Sequence, residues 1–423
     1  MCGEYTRVAT GGVNFTLRAA LTDRYCTDTP RSPTRNETMQ RALIAFLLVV
    51  LCSSGARART WHVKADRSGD VPTIQAGIDS AAAGDTVLVA PGTYGWTAQG
   101  TGSQYGMIHI QRGQNGFVLR GEAGPEATVL DGEYMGRVFF IAGWNYITVE
   151  GFTIRRGMAP SFGDWTGGGI ATHLSHDLIR NCIFRDNIAN SGGAIWCGGV
   201  SSPQIVDCVF FNNQAINGAA VLLVNSSQSP TFRNCTFTRN RASGGGGAIF
   251  AVHNGFNLEN CVIALNEAET QGGAIYARSV WPSSIVSCTI AENTAADGTA
   301  LHLNGSPLVQ LEHSIVAFGS GGATFTSING SSLNVSCSDV FGNTSDSLPA
   351  GVVDGGGNFT ADPLFCGARG SLVYTIAGSS PCAPGLHPGG AGCSLIGAMP
   401  PACGSVRVQP VTWGQVKSLY RGR

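Results

Sequence analysis

The stretch Cys182-Ile-Phe-Arg-Asp-Asn187-Ile-Ala-Asn-Ser-Gly192-Gly-Ala-Ile195-Trp-Cys197 holds every part of a motif that the chain repeats. Further copies begin at Cys208, Cys235, Cys261 and Cys288, at intervals of 26, 27, 26 and 27 residues. Five residues after each cysteine stands an asparagine: Asn187, Asn213, Asn240, Asn266 and Asn293. Two residues after each comes a large apolar side chain, Phe184, Phe210, Phe237, Ile263 and Ile290. Self-similarity at a fixed period of this length is the signature of a solenoid.

Local period separates helical from β rungs. After the small-residue turns the chain reads Ile195-Trp-Cys197, Val221-Leu-Leu223, Ile249-Phe-Ala251, Ile275-Tyr-Ala277 and Leu301-His-Leu303. First and third positions are always apolar and the second varies, which is the period of two of a strand with one buried face. The predicted fold is therefore all-β, a parallel β-helix over residues 60–403 with rungs of about 26 residues. Equivalent positions then form ladders about 4.8 Å apart. Stacked asparagine amides can hydrogen-bond along the axis at a bend, and a second polar set, Asn181, Asp207, Asn234, Asn260 and Ser287, suits corners that need the left-handed conformation. The cysteine ladder reads as free buried thiols, since in-register neighbours point the same way at a spacing too wide for a disulfide.

Working outward, Thr73 suits the N-cap of a short helix from Ile74 to about Ala83, ended by Gly84, that plugs the first rung. Upstream, Met39-Gln-Arg41, the apolar run Ala42 to Cys52 and Ala56-Arg-Ala58 make the three parts of a secretory signal over residues 39–58, cleaved after Ala58. Residues 1–38 then read as an upstream extension outside the mature chain, which is expected to be secreted or at the cell surface. The apolar run is too short to span a bilayer. Beyond Ser314 the period decays, an irregular closing segment follows from about residue 337, and residues 404–423 form a C-terminal tail. In the 423-residue chain, 59 glycines with 13% charged and 43% hydrophobic residues exclude disorder, and a net charge of −1 gives no footprint for nucleic acid.

Phe184-Arg-Asp-Asn187, Phe210-Phe-Asn-Asn213 and Phe237-Thr-Arg-Asn240, beside the Gly-Gly-Ala-Ile turns, resemble the repeat of the polymorphic outer-membrane proteins. Thr73-Ile-Gln-Ala-Gly-Ile78, Gly84-Asp-Thr-Val87 and Pro91-Gly-Thr-Tyr94 resemble the opening of bacterial pectin-lyase-like proteins. The resemblance implies a right-handed β-helix and leaves lyases, hydrolases, epimerases and adhesins open. The segment from Cys337 to Cys403 resembles the closing segment of secreted β-helix proteins, and the pairings expected in it are Cys366 with Cys382 and Cys393 with Cys403.

For catalysis the residues offer little. Asp186 and Glu292 share a repeat position but stand four rungs apart, about 19 Å along the axis, too far for a glycosidase pair. Glu267 and Arg241 read as an exposed ion pair. The histidines His173, His176, His253, His302 and His313 form no ladder, and Asp164 with Trp165 occupies an insertion loop. The positions between the two buried residues of the glycine-led strand are Ala171, Trp196, Leu222, Phe250, Tyr276 and His302. Alternation turns them away from the core, and either Trp165 or the C-terminal tail covers the stripe or Trp196, Phe250, Tyr276 and His302 are the candidate ligand-binding residues, with ring faces suited to sugars. The expected role is adhesion or glycan binding by a monomer, toward a polysaccharide, a cell-surface glycan or a surface protein, with no cofactor and no transmembrane anchor. A polysaccharide lyase or hydrolase is the alternative, and Ca²⁺ enters only with a lyase.

Overall fold

A computed structural model describes residues 57–99, 105–159, 166–225, 228–306, 308–388 and 392–403. The upstream extension, nearly all of the signal segment, the loop with Asp164 and Trp165, and the tail lie outside the described residues. The body is a parallel β-helix. Three long sheets of 12, 9 and 10 strands run its length, and a 5-stranded ribbon of two-residue strands fills one bend. One coil visits each in turn: Gln204–Val206 in the first sheet, Val209–Phe211 in the second, Gln214–Ala215 in the ribbon and Val221–Val224 in the third.

Registers follow the repeat. Phe184 pairs with Phe210 and Phe210 with Phe237, and the rings stack at 4.9 and 4.6 Å with planes within 5°. The five ladder cysteines are fully buried thiols that take part in neither disulfide. Each thiol donates to the carbonyl two residues before it, as Cys235 does to Arg233 at 3.3 Å, and burial pushes Cys235 and Cys288 well above the ordinary thiol range. Ser314 and Ser338 continue this column and make the same bond to Glu312 and Ser336, both at 2.8 Å.

The asparagine ladder closes its own hydrogen-bond account. Asn240 donates to Asn266 Oδ1 at 2.8 Å and to the Phe210 carbonyl at 3.1 Å, and its Oδ1 accepts the side-chain amide and the backbone N–H of Asn213. The ladder side chains are at most 1% exposed, so each bond satisfies a group that water cannot reach. Around them the chain turns through left-handed corners. Arg156, Asp186, Asn212, Arg239, Leu265, Glu292 and Phe318 form one such column with φ between 50° and 60°. Asn181, Asp207, Asn234, Asn260, Ser287, His313 and Cys337 form another. The second was expected from its asparagines; the first, besides Asp186 and Asn212, carries Arg, Leu, Glu and Phe residues that rarely adopt this conformation, and the coil geometry accounts for them.

At the amino end the helix is Ile74–Ser80, capped by Thr73 Oγ1 accepting from Ala76 N at 3.1 Å. It ends earlier than the glycine suggested. Asp85 takes the backbone amides of Ala82 at 3.0 Å and Arg59 at 2.8 Å, which draws the chain into the first strands before Gly84 can act as a cap.

The carboxyl end departs most from expectation. Phe359 still bridges Asp339, after which residues 362–388 and 392–403 leave the coil and lie over the outer face of the second sheet as a strap. Beneath it Val262, Ala264, Thr289, Ala291, Ile315 and Ala317 point outward yet are at most 1% exposed. Ile376, Cys382, Ala383 and Ile396 pack on Ile315 and Ala317, and Tyr374, Ala398 and Met399 pack on Val262, Ala264 and Ala291. The disulfides are Cys337 with Cys393 and Cys366 with Cys403, so the expected pairings of Cys366 with Cys382 and Cys393 with Cys403 are incorrect. Nearness in sequence misled because the strap folds back, which sets Cys393 beside the corner residue Cys337 and leaves Cys382 a buried thiol against Asp339 at 3.3 Å.

Candidate functional site

The outward column of the third sheet aligns as the repeat requires: Ala171 with Trp196, then Leu222, Phe250, Tyr276 and His302 in successive registers. It also begins earlier, with His109 and Phe140, which the less regular first coils concealed. The exposure expected of it is corrected. Ala171, Leu222, Tyr276 and His302 are buried, and Trp196 and Phe250 are half-buried.

Ring orientation explains why. Phe250 stacks on Tyr276 at 4.5 Å and Tyr276 on His302 at 5.1 Å, with planes within 18°. Rings that close cannot lie side by side in one plane, so their faces are turned toward one another along the solenoid axis and only edges look outward. His302 Nδ1 lies 3.2 Å from Asp297 Oδ2, and burial holds the imidazole below its ordinary range despite that carboxylate. Trp196 differs. Its six-membered ring lies over Gly198, where an added Cβ would meet three ring carbons at 1.9 to 2.6 Å. Of the four candidate residues, three form a packed stack, and Trp196 alone lies flat on the sheet.

The first sheet carries a charged outward column. Glu150 pairs with Arg120 on one side and Arg180 on the other, and Arg233 pairs with Glu259 at 2.8 Å. Glu259 holds the Arg233 guanidinium above its ordinary range, which makes it a poor proton acceptor. The Arg241 and Glu267 pair is present at 3.5 Å with both side chains well exposed, and it is worth little.

A concave site forms where the strap meets the corner column after the second sheet. Glu292 and Phe318 are successive members of that column, and the strap brings Asp362, Phe365, Arg369 and Tyr374 against them around a cleft of about 430 Å³. Tyr374 donates to Glu292 Oε1 at 3.2 Å and Gly370 N to Oε2 at 2.7 Å. Arg239, in the same column, holds the loop from below through the Gly370 carbonyl at 3.2 Å. Aromatic rings make the wall: Phe341, Phe318, Phe365 and Tyr374 meet edge to face in series at 5.8, 6.1 and 5.3 Å. The Arg369 guanidinium lies 3.9 Å over Phe318 and has no carboxylate partner among the described residues. Fixed acceptors, a free fork of donors and aromatic surface in one cleft are the groups that a polyhydroxylated ligand uses.

Sequence reasoning named Glu292 but set it aside for want of a second acid, because Asp362 arrives on the non-repeating strap. One signal was available. The outward pair on the second sheet changes from Ile183 and Arg185 to Val262 and Ala264, then Thr289 and Ala291, and small uncharged side chains facing outward over several rungs mark a covered face.

A family model described as a right handed beta helix region matches residues 108–263. No curated protein matches the chain. Among solved structures the chain is similar to pectate lyase Pel9A, with a TM-score of 0.53 at 12% identity over 83% of this chain and 98% of that one. A PL6 family alginate lyase, AlyGC, aligns with a TM-score of only 0.23 at 12% identity, over 74% of this chain and 55% of the other. The matched region and the parallel rungs on either side of it make this protein a right-handed parallel β-helix, the architecture it shares with pectate lyase.

Proposed function

We propose that this protein is a secreted or cell-surface β-helix that binds glycans, and that the cleft between Glu292 and the strap is where it does so. The observation that carries the reading is the Glu292 carboxylate, fixed from two sides by Tyr374 and Gly370 within an aromatic wall that Arg369 completes. Preorganised polar groups beside apolar surface lower the ordering cost of binding. Adhesion through such a site needs no cofactor. The pectate lyase likeness supports a polysaccharide partner and also keeps a lyase in view, but the sheet-1 arginines are committed to Glu150 and Glu259, which favours binding over proton abstraction.

A panel of immobilised polysaccharides tests this directly. Retention of the purified protein, reduced at least tenfold by Arg369→Ala with unchanged circular dichroism, is the expected result. Retention that no cleft substitution alters would remove the site from the cleft. Steady accumulation of unsaturated uronate products in ultraviolet absorbance would replace binding with a lyase.

A further inference from the structure

The chemistry of the cleft goes further than the presence of a sugar site and, resting on that reading, bears on which sugars enter it. We infer that the cleft takes uncharged sugar units and rejects uronates. Two carboxyl side chains, Glu292 and Asp362, line it against one guanidinium, Arg369. Arg369 is itself held over the face of Phe318 at 3.9 Å, so its position is set by the wall and not by either acid. Each Glu292 oxygen already receives one donor, Gly370 N or Tyr374 Oη, which leaves the remaining lone pairs pointing in fixed directions. Asp362 is anchored likewise, its Oδ1 accepting from Leu364 N at 2.9 Å.

Such a site presents mainly acceptors. Sugar hydroxyls are donors and match them, the ring oxygens of a neutral sugar can accept from Arg369, and the C–H faces of the sugar suit the rings of Phe318 and Phe365. A ligand carboxylate would need donors, and it would find one guanidinium and two like charges. Like-charge juxtaposition at a recognition surface is the usual means by which a wrong partner is turned away.

Calorimetric titration of the whole protein with neutral oligosaccharides (cello-, xylo- and chito-oligomers) and with oligogalacturonate and oligoalginate separates the possibilities. A neutral oligomer is expected to bind at least tenfold more tightly than either uronate. Asp362→Asn, at an exposed position that leaves the Tyr374 contact intact, and Glu292→Gln should each narrow that gap by raising uronate affinity. Binding of uronates in preference to neutral sugars, lost in Arg369→Ala, would overturn the inference and leave the glycan-binding function standing. Failure of every saccharide to bind would overturn both.

Discussion

Tyr374 reaches back across 82 residues of sequence to donate its phenolic proton to Glu292 Oε1 at 3.2 Å, and this contact joins the strap to the coil at the candidate site. Removing the hydroxyl should loosen the site without unfolding the solenoid. Tyr374→Phe is expected to cost about 1 kcal/mol of strap docking and to weaken glycan binding several-fold, read by thermal melting and calorimetry on the same samples. Unchanged binding would show that the carboxylate needs no fixing from this side.

The asparagine ladder predicts a larger effect at a site with no ligand role. Asn240→Ala removes the acceptor for both Asn213 amides and the donor to Phe210 O and Asn266 Oδ1. Stranding buried polar groups on two rungs should cost on the order of 3 kcal/mol. Denaturant midpoints compared with those of Asn212→Ala, at the adjoining corner, would check it.

On the third sheet the stacked rings now carry a stability prediction. Tyr276→Ala should destabilise by about 2 to 4 kcal/mol, because the ring is 7% exposed and touches Phe250 and His302 on its two faces. Trp196→Ala, whose half-buried ring lies flat over Gly198, should cost less than half as much. Equal losses in the two variants would mean that Trp196 is covered as fully as the stack.

Thiol chemistry separates the two classes of cysteine. Cys182, Cys208, Cys235, Cys261, Cys288 and the strap residue Cys382 should resist alkylation in the native protein and react once it is denatured. Peptide mapping without reductant should recover Cys337 linked to Cys393 and Cys366 linked to Cys403. Cys235→Asp should fail to fold, since it sets an unpaired charge in an apolar column.

Asp339 makes the strap sensitive to pH. It is fully buried under residues 361–382, accepts from Ala361 N at 3.1 Å and from the Cys382 thiol, and faces the acids Asp346 and Asp362; burial pushes its carboxyl from 3.8 up to about 7. A folded-state value above the unfolded one means that folding favours the protonated form. This contribution is full below the unfolded value and is lost as pH rises through about 7. Melting temperature should therefore fall between about pH 4 and pH 7, the window those two values bracket, and Asp339→Asn should flatten that fall. An identical pH profile in the variant would assign the effect to another group, the buried Asp177 at about 6 being the next to examine.

How much of this was legible in sequence depends on whether a residue belongs to the repeat. Cys235, Asn240 and Ile249 meet the same surroundings as their counterparts one rung away, so a pattern in the sequence is a pattern in space. Tyr276 shows where that ends: alternation correctly turns it away from the core, but which way the ring then lies depends on its neighbours in the column. The strap has no period at all. Asp362, Arg369 and Tyr374 reach Glu292 through a fold-back that no spacing announces.

The returning strap also gives the molecule a direction of unravelling. Rungs in a solenoid lean only on their neighbours, so such a protein opens from its ends. Here the carboxyl end is bound to its own interior, with Ala398 N on Thr289 Oγ1 across 109 residues and Cys337 tied to Cys393. The opposite end, closed by the short helix Ile74–Ser80 over the strand Thr60–Val63, has no such return among the described residues. Amide exchange should therefore spread from the amino-terminal coils toward a late-opening block around residues 262–341, which makes the candidate cleft the last part of the molecule to come apart.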